Sequence, residues 1–380
     1  MANTTKELIA KSMQIFSDLE GLKSQLEEPE RILSQAFDAS EREMRARAIT
    51  TTRMMSRTIS RITPREALGP EEITELPRID DAINEERKKL VEDGRRAIGQ
   101  ILKHGDDAIL TPREKLGLEA IIVIAGRPAI FINNGRFSDP PDEWAMLKET
   151  RDSIEKNFKS VGRIEVPGHP DLEWAGTGFL VADDVIMTNR HVAKEFCTLG
   201  DGDWVFEPGI LPRVDYAEDI GSEKPAEFEI KKIIGIHKSL DMALFQISRE
   251  SSSGAELSKP LTIASTGSSI ESGRKVYVLG YPAWDGRRND PEIMNSIFKN
   301  IYGFKRLQPG EVRNVTVEQS TFAHDCATLG GNSGSCVIDL DTSQVIGLHF
   351  GGRYLVANYA VALWTLTSDP LLQQAGVNFE

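Results

Sequence analysis

Residues 328–337 read TLGGNSGSCV, with Ser333 set between Asn332 and Gly334 and two further glycines, Gly330 and Gly331, just upstream. Glycine has no Cβ, so such a stretch bends where other residues would clash, and it makes a poor central strand. A serine hydroxyl at the apex of a bend has a chemical use. Alone it is a weak nucleophile; it needs a base to take its proton and a carboxylate to orient that base. It also needs backbone N–H donors aimed at the oxygen that becomes negative. The turn can supply those donors from Gly331 and Ser333, so the rest of the chain must be searched for the base and the carboxylate.

Six histidines are present. His191 stands in VIMTNRHVAKEF (185–196), where a strand runs into a short helical turn. Asp241 opens the apolar strand SLDMALFQI (239–247) and falls between His191 and Ser333. His104 lies near the end of a predicted surface helix and His169 in the loop VPGHPD. His237 and His324 have no cysteine or carboxylate spacing that points to a metal and read as loop or core histidines, with His324-Asp325 open to a structural pair. No metal and no cofactor is expected.

Three separated motifs in this order, GTGFLV with TNRHV, then LDMALF, then GGNSGS, make residues 161–366 resemble the chymotrypsin-fold (trypsin-like) serine peptidases of bacteria. The chain is most similar to the glutamyl-endopeptidase branch, through TN-x-HV, Gly280-Tyr281-Pro282 and GNSGS. The resemblance implies two β-barrels with the site between them. It implies His191 as general base and then acid, Asp241 as the residue that orients and stabilises its imidazolium, and Ser333 as the acyl-forming nucleophile. Gly331 and Ser333 would form the oxyanion hole, and Phe350, Gly351 and Gly352 would pair with substrate backbone. Trypsins that bind Lys or Arg carry an aspartate six residues before the serine; here that position is Ala327. Thr328 and His349 match residues that line an acid-binding pocket in the glutamyl branch, which implies cleavage after Glu or Asp; otherwise His349 packs under the barrel and Thr328 shapes the turn. Asn332 stands where digestive trypsins hold an aspartate for a newly cut N-terminus, so activation by that ion pair is not expected.

Around these motifs the chain has two textures. From Val161 on, short apolar segments such as GRIEV (162–166), KVYVLGY (275–281), VTVEQ (315–319) and QVIGLHF (344–350) alternate with turn residues, which predicts an all-β barrel or sandwich. Residues 290–300, DPEIMNSIFKN, read as a helical insertion, within a segment 283–310 expected to border the cleft. Residues 1–140 read as a mostly helical region. Leu8, Ile15, Leu19, Leu22 and Leu26 share one face, a second helix is predicted from Ile79 to Leu102, and Thr63-Pro64-Arg65-Glu66 and Thr111-Pro112-Arg113-Glu114 are paired helix starts. SDPPD (138–142) is the expected linker, and Trp144, Leu147, Ile154 and Phe158 mark a lead-in helix. The overall expectation is a multidomain α+β chain, with a helical regulatory or interaction region at 1–140 and an all-β double-barrel peptidase domain at 141–380.

A net charge of −13 disfavours nucleic acid or an anionic membrane as a partner. Three cysteines and no signal-like apolar run at the start lead to an expectation of a reducing cytoplasm, although a Cys326–Cys336 disulfide stays open. The expected partners are a protein or peptide substrate and a regulatory protein bound through residues 1–140, in the manner of a defence-system effector. The rival readings are a catalytically silent peptidase-fold module that binds peptides, and an oligomerising N-terminal region.

Overall fold

The computed structural model describes residues 92–101, 103–104, 108–111, 113–114, 126–222, 224–284, 297–299, 301–353 and 357–380. The expected helical face from Leu8 to Leu26 and the first Thr-Pro-Arg-Glu motif lie outside them. The described residues fall into two compact units, one ending at Arg127 and joined by 297–299, the other starting at Pro128. In the first, residues 92–101 are helical, with Ala97, Ile98 and Ile101 buried as the predicted periodicity requires. The second Thr-Pro-Arg-Glu motif is a reciprocal capping box: Thr111 N donates to Glu114 Oε2 (2.8 Å) and Glu114 N donates to Thr111 Oγ1 (3.2 Å). Those bonds hold the Glu114 carboxyl below its ordinary range.

The second unit opens with strands β1 (Ile130–Asn133) and β2 (Arg136–Phe137), a 3-10 segment Asp142–Lys148 and helix α1 (Arg151–Asn157). Strands β3 (Val161–Glu165), β4 (Trp174–Ala182) and β5 (Val185–Thr188) follow, then helix α2 (Arg190–Ala193). Next come β6 (Cys197–Gly200), β7 (Asp203–Phe206), β8 (Arg213–Asp215), β9 (Glu227–Ile236) and β10 (Ala243–Ile247). The last set is β11 (Lys275–Gly280), β12 (Arg306–Thr316), β13 (Thr321–His324), β14 (Cys336–Asp339), β15 (Val345–Arg353), β16 (Ala357–Ala362) and helix α3 (Pro370–Gln374). A first barrel closes in the order β10-β5-β4-β3-β8-β9; a second runs β11-β14-β15-β16-β13-β12 and closes through β11–β12. Two six-stranded barrels are the architecture expected for this half of the chain.

Side-chain alternation explains why the strands read as unbroken apolar runs. Leu180, Ile186 and Phe245 fill the first barrel, and Val276, Val278 and Val337 fill the second. Their chain neighbours Phe179, Met187, Leu244, Tyr277, Leu279 and Cys336 face the other way into a third cluster shared by both barrels. Trp144, Leu147, Ile154 and Phe158, the predicted lead-in face, join that shared cluster.

Two expectations change. The chain enters the second sheet ahead of residue 140, because β1 pairs with β12 (Ile130↔Leu307), and the hairpin turns on Asn134 and Gly135, both at positive φ as a two-residue turn of this hand requires. Residues 317–319 form a 3-10 turn, and the strand expected there lies mainly upstream as β12. Residues 290–296 and 300 fall outside the described set, where 297–298 are helical. Cys197, Cys326 and Cys336 are free and buried, so no Cys326–Cys336 disulfide forms; Cys336 fills the core, and burial pushes its thiol up to about 12.

Beneath the shared layer lies a buried ionic group. Arg163 donates to Glu165 Oε1 (2.6 Å) and to Gly303 O (2.7 Å), and pairs with Glu218 (3.2 Å). Burial outweighs the attraction of Arg163 and raises the Glu165 carboxyl to about 7. Its folded pKa then exceeds the unfolded value near 4.5, so this group takes stability away as pH rises from 4.5 to 7. Across that window the melting temperature of the wild type is expected to fall relative to Glu165→Gln; a constant difference between the two curves would refute the assignment.

Candidate active site

Asn189 follows β5 at the N-cap position of α2, and its Nδ2 donates to Asp241 O (2.9 Å), so the start of the helix is tied to the mouth of β10. That tie sets His191 against Asp241. The ring Nδ1 lies 2.6 Å from Asp241 Oδ2, and the His191 backbone N donates to Oδ1 at 3.0 Å. A carboxylate held at both oxygens fixes the imidazole with its proton on Nδ1 and leaves Nε2 as an acceptor. Burial acts to raise the Asp241 carboxyl, but hydrogen bonds and charge from His191, with Arg190 nearby, more than offset it and hold it below its ordinary range.

Ser333 sits on the turn between β13 and β14, which is seated on β4. Thr177 N donates to Ser333 O (2.9 Å) and Thr177 Oγ1 to Gly331 O (2.8 Å). Ala283 N donates to Gly330 O (2.6 Å) and Ser335 N to Asn332 O (2.9 Å). These carbonyls point into the protein, and a planar trans peptide turns its N–H the opposite way. The N–H groups of Gly331 and Ser333 therefore point outward, and among the described contacts neither meets a protein acceptor. Gly331 (φ +83°) backs onto Trp174 and the Tyr281 carbonyl, 2.5 Å from where a Cβ would stand, so only glycine fits.

Gly176 brings the turn and the helix together: a methyl there would stand 2.8 Å from Val192 Cγ2 and 2.9 Å from Ser333 O. Ser333 and His191 thus occupy neighbouring ground across Gly176, without a hydrogen bond between hydroxyl and ring among the described contacts; such bonds tighten when substrate binds. Strand β15 is bonded to the same turn, because Gly334 N donates to His349 O (3.0 Å) and His349 N to Ser335 O (2.9 Å). Pairing of β14 to β15 ends at Cys336↔Leu348, so beyond His349 the half-buried residues Phe350 and Gly351 continue an edge that β16 covers on one side only. Gly352 pairs with Asn358 on the covered side.

Sequence reading missed one partner. His324 pairs with His349 rather than with Asp325: the two rings meet Nε2 to Nδ1 at 3.2 Å, both buried. Asp325 instead accepts Glu311 N (2.7 Å) and pairs with Arg313. Burial pushes His324 down to about 3 and His349 well below its usual value, so both rings are neutral at pH 7. Nothing in the local sequence signals this pair, since it forms diagonally across β16, with His324 opposite Asn358 and His349 opposite Ala360. Thr328 is half-buried two residues before Gly330. His237 and His169 are loop histidines, each accepting two backbone N–H bonds at Nδ1. Among the described residues no cluster of three or more His, Cys, Asp or Glu side chains is placed to hold a metal.

The double barrel and this turn define a serine-peptidase architecture. Residues 176–348 match the trypsin-like peptidase domain, and this part of the chain is such a domain. The chain is 28% identical over 313 residues to a probable serine protease of Lysobacter enzymogenes, covering 70% of this chain and 80% of that protein. It is 27% identical over 198 residues to a glutamyl endopeptidase of Staphylococcus epidermidis, covering 52% of this chain and 60% of that one. To exfoliative toxin A of Staphylococcus aureus it is 23% identical over 214 residues, covering 55% and 66% respectively.

Gly334 (φ +87°) has no room for a side chain, since a Cβ would stand 2.0 Å from Thr177 O. Gly334→Ala is expected to displace the turn and slow fluorophosphonate labelling by about a hundredfold or more, the scale on which a lost oxyanion donor acts. Labelling at the wild-type rate would mean that the turn is not what presents Ser333.

Proposed function

We propose that the chain is a serine endopeptidase that cleaves after acidic residues. The observation that carries the reading is the His191–Asp241 pair beside a glycine turn on which the N–H groups of Gly331 and Ser333 meet no protein acceptor among the described contacts. His191 Nε2 takes the Ser333 proton as the hydroxyl attacks the scissile carbonyl. The Gly331 and Ser333 N–H groups receive the oxyanion, and Asp241 stabilises the imidazolium. The proton passes to the leaving amine, and water, deprotonated by the same ring, releases the acid from Ser333. The Phe350–Gly352 edge holds the substrate as an added strand. Ser333→Ala is expected to lower kcat by about four orders of magnitude or more while still binding peptide. Turnover that survives the substitution would leave a binding module as the better reading.

The acidic preference rests on Ala327, Thr328 and the two buried histidines, with the Staphylococcus epidermidis glutamyl endopeptidase as a relative in support. If His324 donates from Nε2 to His349 Nδ1, the neutral His349 carries its proton on Nε2, free to donate to a substrate carboxylate. The opposite tautomer would bury a His324 Nδ1–H that has no acceptor. His349→Phe is expected to reduce kcat/KM for peptides with Glu at the cleavage site by about tenfold or more and to leave fluorophosphonate labelling intact. A library cleaved after Lys or after large apolar residues would overturn the preference.

Restraint by residues 1–127 is part of the same reading. Self-cleavage after the acids at 139–143 is disfavoured although Asp139 and Asp142 are exposed, because Asp139 precedes Pro140 and Asp142 and Glu143 lie in a 3-10 segment. Partner binding is therefore favoured over self-cleavage as the trigger. A fragment starting at Pro128, which retains β1, is expected to turn over faster than the full chain; equal rates would remove the regulatory role.

A further inference from the structure

Asn332 lies between the two oxyanion donors, so whatever holds its side chain holds both. It is fully buried. A carboxylate in this place would need a buried cation beside it, whereas a carboxamide needs only a neutral donor. Gln308 provides one: its Nε2 donates to Asn332 Oδ1 at 3.1 Å, and Gln308 is itself fully buried. This is the one hydrogen bond of the Asn332 side chain among the described contacts, since Asn332 Nδ2 has no acceptor.

The strand register explains how a glutamine gets there. Val337, Val278 and Gln308 stand in one row across β14, β11 and β12, on the face that carries the apolar filling of the second barrel. In an apolar layer an amide has no water to turn to, so it keeps the partner it has. Gly280 lets the turn close on this layer, because a methyl there would stand 1.9 Å from Ser335 Oγ and 2.6 Å from Asn332 Oδ1.

We propose that Gln308 is the positioning residue of the oxyanion turn: through a neutral amide–amide bond to Asn332 it keeps the Gly331 and Ser333 N–H groups directed at the reacting carbonyl, with no newly cut N-terminus required. The role rests on the serine-peptidase reading and deepens it, since Gln308 acts through Asn332 and touches no substrate.

The test uses the full-length protein and two readouts. One is the rate of fluorophosphonate labelling, which needs the hole; the other is the affinity of a product peptide ending in Glu, which needs the pocket and the strand edge. Gln308→Met, similar in length but without the amide, is expected to label about ten to a hundred times more slowly, the effect of one buried hydrogen bond. Peptide affinity is expected to stay within about twofold of the wild type, because binding in the pocket does not call on this bond. Gln308→Asn, which keeps the amide but shortens its reach, is the second variant should the first be unstable, and the same slowing is expected of it. Asn332→Leu combined with Gln308→Met is expected to label no more slowly than the slower single variant, because the two residues act as one unit. Wild-type labelling rates in both Gln308 variants, parallel loss of labelling and peptide binding, or additive losses in the double variant would each overturn the proposal. A wild-type protein that labels neither as the full chain nor as the fragment starting at Pro128 would instead remove the peptidase reading, and the proposal with it.

Discussion

The site depends on how one threonine joins the two barrels. Thr177 belongs to β4 of the first barrel, yet its backbone N and its hydroxyl grip Ser333 O and Gly331 O of a turn that belongs to the second. Its own carbonyl is held by Thr188 Oγ1 at 2.7 Å, two residues ahead of the helix that carries His191 fully into place. A single buried residue therefore references the nucleophile turn to the strand pair that positions the histidine. Such an arrangement tolerates little drift, because every donor and acceptor in it is buried and would lose its partner if the barrels slid.

Around that joint, the residues proposed for catalysis come from separate elements, each with its own physical support. Asp241 sits at a strand mouth and is bonded by ring and backbone of His191. The two candidate oxyanion donors, Gly331 N–H and Ser333 N–H, share their peptides with Gly330 O and Asn332 O, which are held by Ala283 N and Ser335 N and so turn the donors the other way. Glycine appears where a Cβ would stand within 3 Å of another chain segment, at Gly176, Gly331 and Gly334. The polar pairs Gln308–Asn332 and His324–His349 both lie buried in the second barrel. In that setting, direct pairing of neutral groups replaces the ion pairs that a wetter site would use.

The alternation of two apolar faces made most strands legible, since residues such as Leu244 and Phe245 go to different cores and both must be apolar. The strand β12 was harder to see. Its buried stretch Arg306-Leu307-Gln308-Pro309-Gly310 combines a cation, an amide, a proline and a glycine, and each is explained only by a neighbour in space. Gly310 is needed because Cys326 N would lie 2.7 Å from a Cβ, and Gln308 because Asn332 is across from it. Local propensity has no access to such partners.

What the sequence determined by itself was a set of local motifs and their order: a serine in a glycine turn, a histidine at a strand-to-helix step, an aspartate opening an apolar strand, and the capping box at Thr111. These are short-range patterns, set by the conformations that a few adjacent residues allow. Tertiary structure alone decided that His324 meets His349 rather than Asp325, that Gln308 bonds Asn332, and that the strand at Ile130 pairs with β12 and so belongs to the second unit. In each case the partners come from strands or turns distant in the chain, and barrel closure brings them within a hydrogen bond.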